Sequence, residues 1–285
     1  FVLAHSQPST RPRGFALFVG AIMVATVCGP SIGGIFADNI GERLTFGISA
    51  VLALGSIFAI RMLPAHTPSG STGAATHLPS LKNIGALMLN RRFMTLTGLA
   101  AVPAKIILTG ICFYLVPLYV IAIGSTQATA GRILMAYAVV MVTMVPLATA
   151  LGKTREQREW LVAAGLLVSG AGGFLMIAST NVTWVFAAVV LVGMGQALSI
   201  TAQSTLVSEH CYAEITRFGD QTVYGVYRLL ERLGNAMGPL IAATLVVSFG
   251  YQIGFAVIGG LAIVCAVVFA LAIRAERSPE HSMAG

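Results

Sequence analysis

The sequence predicts an all-α protein that crosses a membrane several times, and three observations support this prediction. Hydrophobic residues make up 56% of the 285 residues. Charged residues make up 9%, whereas a soluble domain usually carries about 25%. The charged residues are also clustered into short intervals, which leaves apolar runs of roughly 19 to 24 residues, the length at which a helix crosses a hydrocarbon core of about 30 Å.

Eight apolar runs predict eight membrane spans. They lie near Phe15–Phe36, Leu44–Leu63, Phe93–Ile123, Ala128–Leu151, Trp160–Ala178, Trp184–Val207, Leu229–Phe249 and Tyr251–Ile273. The third run contains Pro103 and Pro117 and is longer than a straight crossing needs, so we expect a kinked or tilted helix there. The interval from Pro64 to Lys82 is rich in Ser, Thr, Gly and Pro, which is typical of a flexible linker.

The Lys and Arg residues predict the orientation of these spans. Of the 17, 14 fall in intervals on one side, Arg43 and Arg132 fall on the other side, and Lys105 lies inside the third span. Because cytoplasmic loops are enriched in Lys and Arg, we expect both chain ends to be cytoplasmic. A nucleic-acid surface would need these cations on one solvated face, so the net charge of +7 does not predict a nucleic-acid partner.

An internal repeat relates the first two spans to the last two by one constant offset. The matches are Gly29-Pro30 with Gly238-Pro239, Gly33-Gly34 with Ala242-Ala243, Gly41 with Gly250, and Phe46 with Phe255. The pattern keeps its register across two helices and their turn, which predicts a parallel structural repeat.

The segment over residues 25–34, ATVCGPSIGG, is followed by Ala37-Asp38 and by GERLTF over residues 41–46. It resembles the antiporter motif in the fifth helix of the major facilitator superfamily, where small residues let another helix approach closely and a proline loosens one helical turn. The resemblance places this helix at the interface between the two halves of the transporter. It implies a structural or gate role for Gly29, Pro30, Gly33, Gly34, Arg43, Gly238 and Pro239.

The resemblance implies helices five to twelve of a twelve-helix fold made of two six-helix bundles. Residues 1–63 would hold the last two spans of the first bundle, 64–92 the cytoplasmic central linker, and 93–285 the complete second bundle with its cytoplasmic tail. The sequence would then be a fragment that lacks the first four helices.

The implied function is secondary active transport by alternating access, with proton-coupled export of a small organic molecule or drug across the inner membrane. The protein would be monomeric when complete, embedded in the lipid bilayer, and would need no cofactor. The four cysteines are widely spaced, so the sequence predicts no metal cluster. The spans carry no paired carboxylates, so it predicts no enzyme site. The alternative is a transporter-like membrane sensor or receptor domain of a larger signalling protein.

Lys105 is the first candidate for substrate binding, because a cation near the middle of a membrane is costly unless it is paired or functional. Thr109 follows it at helical spacing. The acidic partner of Lys105 would be either Glu231 or a residue outside this sequence. An equally weighted alternative is that Lys105 extends towards an interface and only orients the helix.

Polar residues in two other helices are further candidates. Gln196, Ser199 and Gln203 share one face of the sixth span and would contact a substrate, or else form ordinary interhelical hydrogen bonds. Arg228, Glu231 and Arg232 precede the seventh span and would form a gate network or a solvated helix start. Arg132 would be a gate residue on the outer side or an interface anchor. The five histidines all fall in predicted loops or tails, so we do not expect a histidine relay.

Overall fold

The computed structural model describes residues 25, 28, 29, 32–61, 81–178 and 181–282, and every secondary-structure element in these ranges is helical. This confirms the predicted all-α class. The helices are α1 (32–40), α2 (Glu42–Arg61), α3 (Leu81–Leu89), α4 (Arg91–Ala122), α5 (Gln127–Leu151), α6 (Arg155–Leu175), α7 (Val182–His210), α8 (Tyr212–Phe218), α9 (Asp220–Phe249) and α10 (Tyr251–Ser282).

Five helices of the described ranges are long and apolar enough to cross a membrane, namely α4, α5, α7, α9 and α10 as far as Ala275. They establish a multi-pass membrane protein. The helices α2 and α6 lie at the second and fifth predicted spans. The first predicted span lies mostly outside the described residues, as do Pro30 of the motif and residues 64–80 of the predicted linker.

Two predicted boundaries differ from the structure, and tertiary packing explains both. The helix α9 begins at Asp220 instead of near Leu229, because its first turns bury Val223, Val226 and Tyr227 against the bundle. The end of the predicted linker forms the short helix α3, in which Leu87 is fully buried.

Small residues let the helices of the bundle pack closely, as is common between membrane helices. Gly165 of α6 lies against Gly195 of α7, and a Cβ atom on either would collide with the other helix. On another face of α6, Gly173 contacts Gly259 of α10. The helices α6 and α7 are thereby held at a fixed register, which places the polar residues of α7 inside the bundle.

The glycines at the ends of α1 and α9 have the same unusual conformation. Gly41 has φ +82° and Gly250 has φ +84°, in the left-handed region that glycine adopts without steric cost. Each connects its helix to the next one within a single residue. Gly219, with φ +84°, joins α8 to α9 in the same way, so this conformation accompanies single-residue connections between helices.

Candidate functional site

Lys105 lies inside the bundle and pairs with Glu231 of α9. Its Nζ atom is 3.3 Å from Glu231 Oε1, and the two side chains are 14% and 5% exposed. Lys105 is about 21 Å along the axis from Arg91, in a helix about 48 Å long. A lysine at this depth needs a counter-charge. Of the two acidic partners that the sequence left open, the structure therefore gives Glu231.

A second cation shares the carboxylate of Glu231. Arg228 donates a hydrogen bond of 2.7 Å from Nη1 to Glu231 Oε2, and its side chain is 65% exposed. Arg232 is exposed and forms no ion pair with a described residue. The network predicted around Glu231 thus contains Arg228 of α9 and Lys105 of α4.

Two glycines of α9 bring Glu231 within reach of Lys105. The helices α4 and α9 run side by side in the same direction, with Gly234 against Val102 and Gly238 against Thr109. A Cβ atom on Gly234 would lie 2.9 Å from the Val102 carbonyl oxygen, and one on Gly238 would collide with the Thr109 hydroxyl. Because the space at Gly234 and at Gly238 admits only a hydrogen atom, the backbones of α4 and α9 approach each other closely. This close approach brings the side chains of Lys105 and Glu231 within ion-pair distance.

Lys105 lies in a short α-helical stretch between two irregular parts of α4. The α-helical stretch Val102–Ile107 is flanked by two π-helical stretches, Thr97–Ala101 and Leu108–Leu115. The irregularity expected from the prolines therefore takes the form of π turns, with Pro103 inside the short α-helical stretch. Such turns occur frequently at functional sites, because they re-aim side chains and weaken the regular backbone ladder.

The polar face predicted on α7 is buried in contact with α4 and α9. Gln196 donates a hydrogen bond of 3.0 Å to the Ala104 carbonyl, directly before Lys105, and its Oε1 atom is buried without a partner among the described residues. Gln203 donates to Ser199 Oγ at 2.6 Å and accepts from the Tyr227 hydroxyl at 3.5 Å. All three α7 side chains are fully buried. Gln196 and Gln203 form hydrogen bonds to other helices, whereas Ser199 accepts from Gln203 within α7.

Thr109 is held by its own helix. Its hydroxyl donates to the Lys105 carbonyl at 2.8 Å, and the residue is half-buried at the contact with Gly238. The structure thus brings Lys105, Thr109, Gln196 and Glu231 together around one segment of α4, while Ser199 and Gln203 reach this group through Tyr227 of α9. Within the described ranges, His, Cys, Asp and Glu do not gather in groups of three that could hold a metal ion.

The antiporter-like segment contacts the start of α5. The carboxylate of Asp38 accepts hydrogen bonds from the backbone N–H groups of Gln127 at 3.2 Å and Ala128 at 2.7 Å. Glu42 accepts another from the Gln127 side chain at 2.8 Å, and Gly34 lies so close to the Gln127 carbonyl that a Cβ atom would collide with it. Free N–H groups at a helix start favour an anion. Asp38 is part of the motif, but the motif predicts no contact for it.

The other small residues of the motif, and the two cations predicted on the outer side, are more loosely placed. Gly29 and Gly33 have open space around the position of a Cβ atom. Arg43 and Arg132 are exposed near the contact between α1 and α5. The close approach expected from the motif therefore occurs at Gly34.

A second buried carboxylate lies where α6 starts and α7 ends. Glu159 Oε1 is 2.9 Å from His210 Nε2, with side chains 3% and 4% exposed, and Arg155 Nε is 3.0 Å from the same oxygen. The expectation that all histidines lie in loops or tails is wrong for His210, which is the last residue of α7. The run from Val182 to His210 holds no Pro and one Gly pair, a signal that the helix continues past Val207.

Further pairs join the same end of the bundle, which we call the Arg-rich end and define by Arg91, Arg155 and Arg217. Arg158 pairs with Glu209, and Asn90 donates to Glu214. Cys211 follows His210, and burial raises the pKa of its thiol to about 12, so this thiol stays protonated and adds no charge to the cluster.

Comparison with known proteins agrees with this architecture. The sequence matches the model of the Major Facilitator Superfamily over residues 1–219. It is 28% identical over 263 residues to a protein of Streptomyces lividans described as a chloramphenicol resistance protein. That alignment covers 92% of this chain and 64% of the relative, so the chain spans less than two thirds of the relative's length. Since the family model covers more than half of the sequence, the chain belongs to the Major Facilitator Superfamily.

Proposed function

We propose that the complete protein is a secondary active transporter that exports a small organic molecule in exchange for protons by alternating access. Family membership supports transport, and the resistance protein from Streptomyces lividans supports a drug as cargo. The observation that carries the proposal is the pair of Lys105 and Glu231, because ionisable residues at membrane depth commonly mark substrate and ion pathways.

The substrate site would lie around the irregular segment of α4. Lys105, Thr109 and Gln196 would contact the substrate directly, and Ser199 and Gln203 would extend the site along α7. Since Gln196, Ser199 and Gln203 are buried in this conformation, the substrate would reach them in a state in which α7 has separated from α4 or α9. Hydrogen bonds released in that state would be remade to the substrate.

The contact of Asp38 with α5 supports movement between two halves. It joins the proposed first bundle, residues 1–63, to the proposed second bundle, residues 93–285, with 64–92 as the linker. Two hydrogen bonds at the rim of an interface are weak enough to break and reform during a transport cycle. The Gly34, Arg43 and Arg132 region would then be an outer gate, while the Arg-rich end would be cytoplasmic and the membrane the inner membrane.

Transport by the complete protein in inverted membrane vesicles tests this function. With an imposed proton gradient, we expect accumulation of radiolabelled chloramphenicol that collapses when a protonophore is added. Lys105→Met removes the charge and keeps the apolar stem, so accumulation should fall at least tenfold at equal protein level. Lys153→Met is the matched control, because Lys153 is exposed in a loop, and it should transport normally.

Two outcomes of the vesicle experiment would contradict this proposal. If the native protein accumulates neither chloramphenicol nor any member of a panel of uncharged, cationic and anionic drugs, the transport proposal is wrong and a sensor domain becomes the better explanation. If Lys105→Met transports as well as Lys153→Met, the site does not lie at the buried pair.

A further inference from the structure

Glu231 differs from the other charged residues of the site in having two cationic partners on its two oxygens. Oε1 faces the mostly buried Lys105, and Oε2 faces the exposed Arg228. We propose that Glu231 is the coupling residue of the transporter, at which a proton and a hydrogen-bond donor of the substrate compete for Oε1, each one separating Glu231 from Lys105. This inference rests on the proposed function.

The charges around Glu231 define what protonation does. The groups that face it are Lys105 from α4 and, from its own helix, Arg228 and the Tyr227 hydroxyl, on which the carboxylate acts electrostatically. Gln203 of α7 approaches this group only through Tyr227 and is uncharged. A proton taken from water converts the carboxylate to a carboxylic acid, so the strong attraction for the Lys105 ammonium is lost. The same proton returns to water on the other side when the pair reforms.

Lys105 has an alternative acceptor when it leaves Glu231. Gln196 is anchored by its amide nitrogen to the carbonyl of Ala104, the residue before Lys105, and its Oε1 atom lacks a hydrogen-bond partner among the described residues. A buried acceptor without a partner is costly and therefore ready to receive a donor. The π turns on both sides of Lys105 provide a segment that can shift without breaking a regular helix.

The pair also selects the chemical class of the substrate. A substrate that splits the pair must offer a donor to Glu231 and an acceptor to Lys105. A cation bound to Glu231 would leave Lys105 without a counter-charge, and an anion bound to Lys105 would leave Glu231 with the exposed Arg228 alone. Breaking a buried ion pair in either way is strongly unfavourable. The site therefore fits an uncharged molecule that carries a hydroxyl or amide N–H group close to a carbonyl oxygen.

The pH dependence of chloramphenicol binding to the purified complete protein tests this competition. Because one proton competes with one substrate, the apparent Kd of the native protein should rise by up to tenfold per pH unit as the pH falls and Glu231 takes up the proton. In a weakly buffered solution, chloramphenicol should also release up to one proton per site into the medium. Glu231→Gln should remove both the pH slope and the proton release, whereas Glu231→Asp should retain them.

Two further variants make the test decisive. Glu159→Gln changes the other buried acid of the described residues and should keep the native slope and proton release. Lys105→Met/Glu231→Gln removes both charges of the pair and leaves no unpaired buried charge, so it replaces Glu231→Gln if that variant does not fold. Its Kd for chloramphenicol should not change with pH.

The outcomes separate the two proposals. If the native protein binds no chloramphenicol at any pH, drug export is wrong and this inference falls with it. If the native protein binds chloramphenicol and Glu231→Gln, or the double variant, keeps the native slope and proton release, the transporter stands and the coupling role of Glu231 is wrong.

Discussion

Glu231 and Glu159 are two buried acids with similar surroundings and different partners. Each carboxylate accepts from one exposed arginine, Arg228 or Arg155. The buried partner of Glu231 is the ammonium group of Lys105, whereas that of Glu159 is the imidazole ring of His210, which can hydrogen-bond as a neutral group. One arrangement therefore is an ion pair in the middle of two helices, and the other is a hydrogen-bonded junction of two helix ends.

Because of this difference, we propose a role in transport for Glu231 and a role in holding two helix ends together for Glu159. Separating Lys105 from Glu231 changes the charge exposed inside the bundle, so the pair can respond to a proton or a substrate. Separating His210 from Glu159 mainly frees the end of α7 from the start of α6, and Arg158 with Glu209 holds the same junction.

The largest effect should come from removing one member of the ion pair. Lys105→Met leaves Glu231 with the exposed Arg228 alone, and we expect a loss of about 3 to 5 kcal/mol in the free energy of unfolding. His210→Leu should cost about 1 to 3 kcal/mol, because the buried Glu159 carboxylate loses one hydrogen-bond partner and keeps Arg155. Denaturant unfolding of the complete protein in detergent measures both. Equal losses would remove the distinction between the two acids.

The next effect concerns how Glu231 is held near Lys105. Gly238→Ala inserts a methyl group against the Thr109 hydroxyl and the backbone of Gly110, so α9 must move away from α4. We expect a loss of about 1 to 3 kcal/mol from overpacking, together with reduced transport. Gly225→Ala is the control on the same helix, since that position is open and alanine favours a helix by about 1 kcal/mol. A stable, active Gly238→Ala would show that the close contact does not position the pair.

These contacts also show what the sequence could predict. Apolar runs and charged intervals located the helices, and a lysine inside an apolar run was visible at once. The partner of Lys105 stayed open because it depends on the register of α4 against α9, which Gly234 and Gly238 set through contacts between distant residues. The pairing of Glu159 with His210 was missed for the same reason, since the two residues are far apart in sequence and meet only when α6 packs on α7.

A smaller effect should follow at Asp38, an acid that binds backbone N–H groups where Glu231 and Glu159 bind cations. Asp38→Ala removes the acceptor at the start of α5 and should cost about 1 kcal/mol, the usual value of a helix cap. Asp38→Asn keeps one acceptor oxygen and should cost less. Labelling of a cysteine introduced at Gln127 should become faster in Asp38→Ala if the contact closes the outer side, and unchanged labelling would contradict a gate at this position.

The smallest effect should come from the exposed arginines of the two acids. Arg228→Gln and Arg155→Gln each remove a solvated partner, and surface ion pairs contribute about 0 to 1 kcal/mol. The free energy of unfolding of both variants should therefore lie within about 1 kcal/mol of the native value. In the binding measurement, however, Arg228→Gln should shift the pH at which the affinity for chloramphenicol falls. The reason is that Arg228 contacts the proposed proton-binding carboxylate. Arg155→Gln should leave that pH unchanged, since Glu159 lies outside the proposed site. The same shift in both variants would mean that the two acids are coupled to transport alike, and the contrast between a transport site and a helix junction would fail.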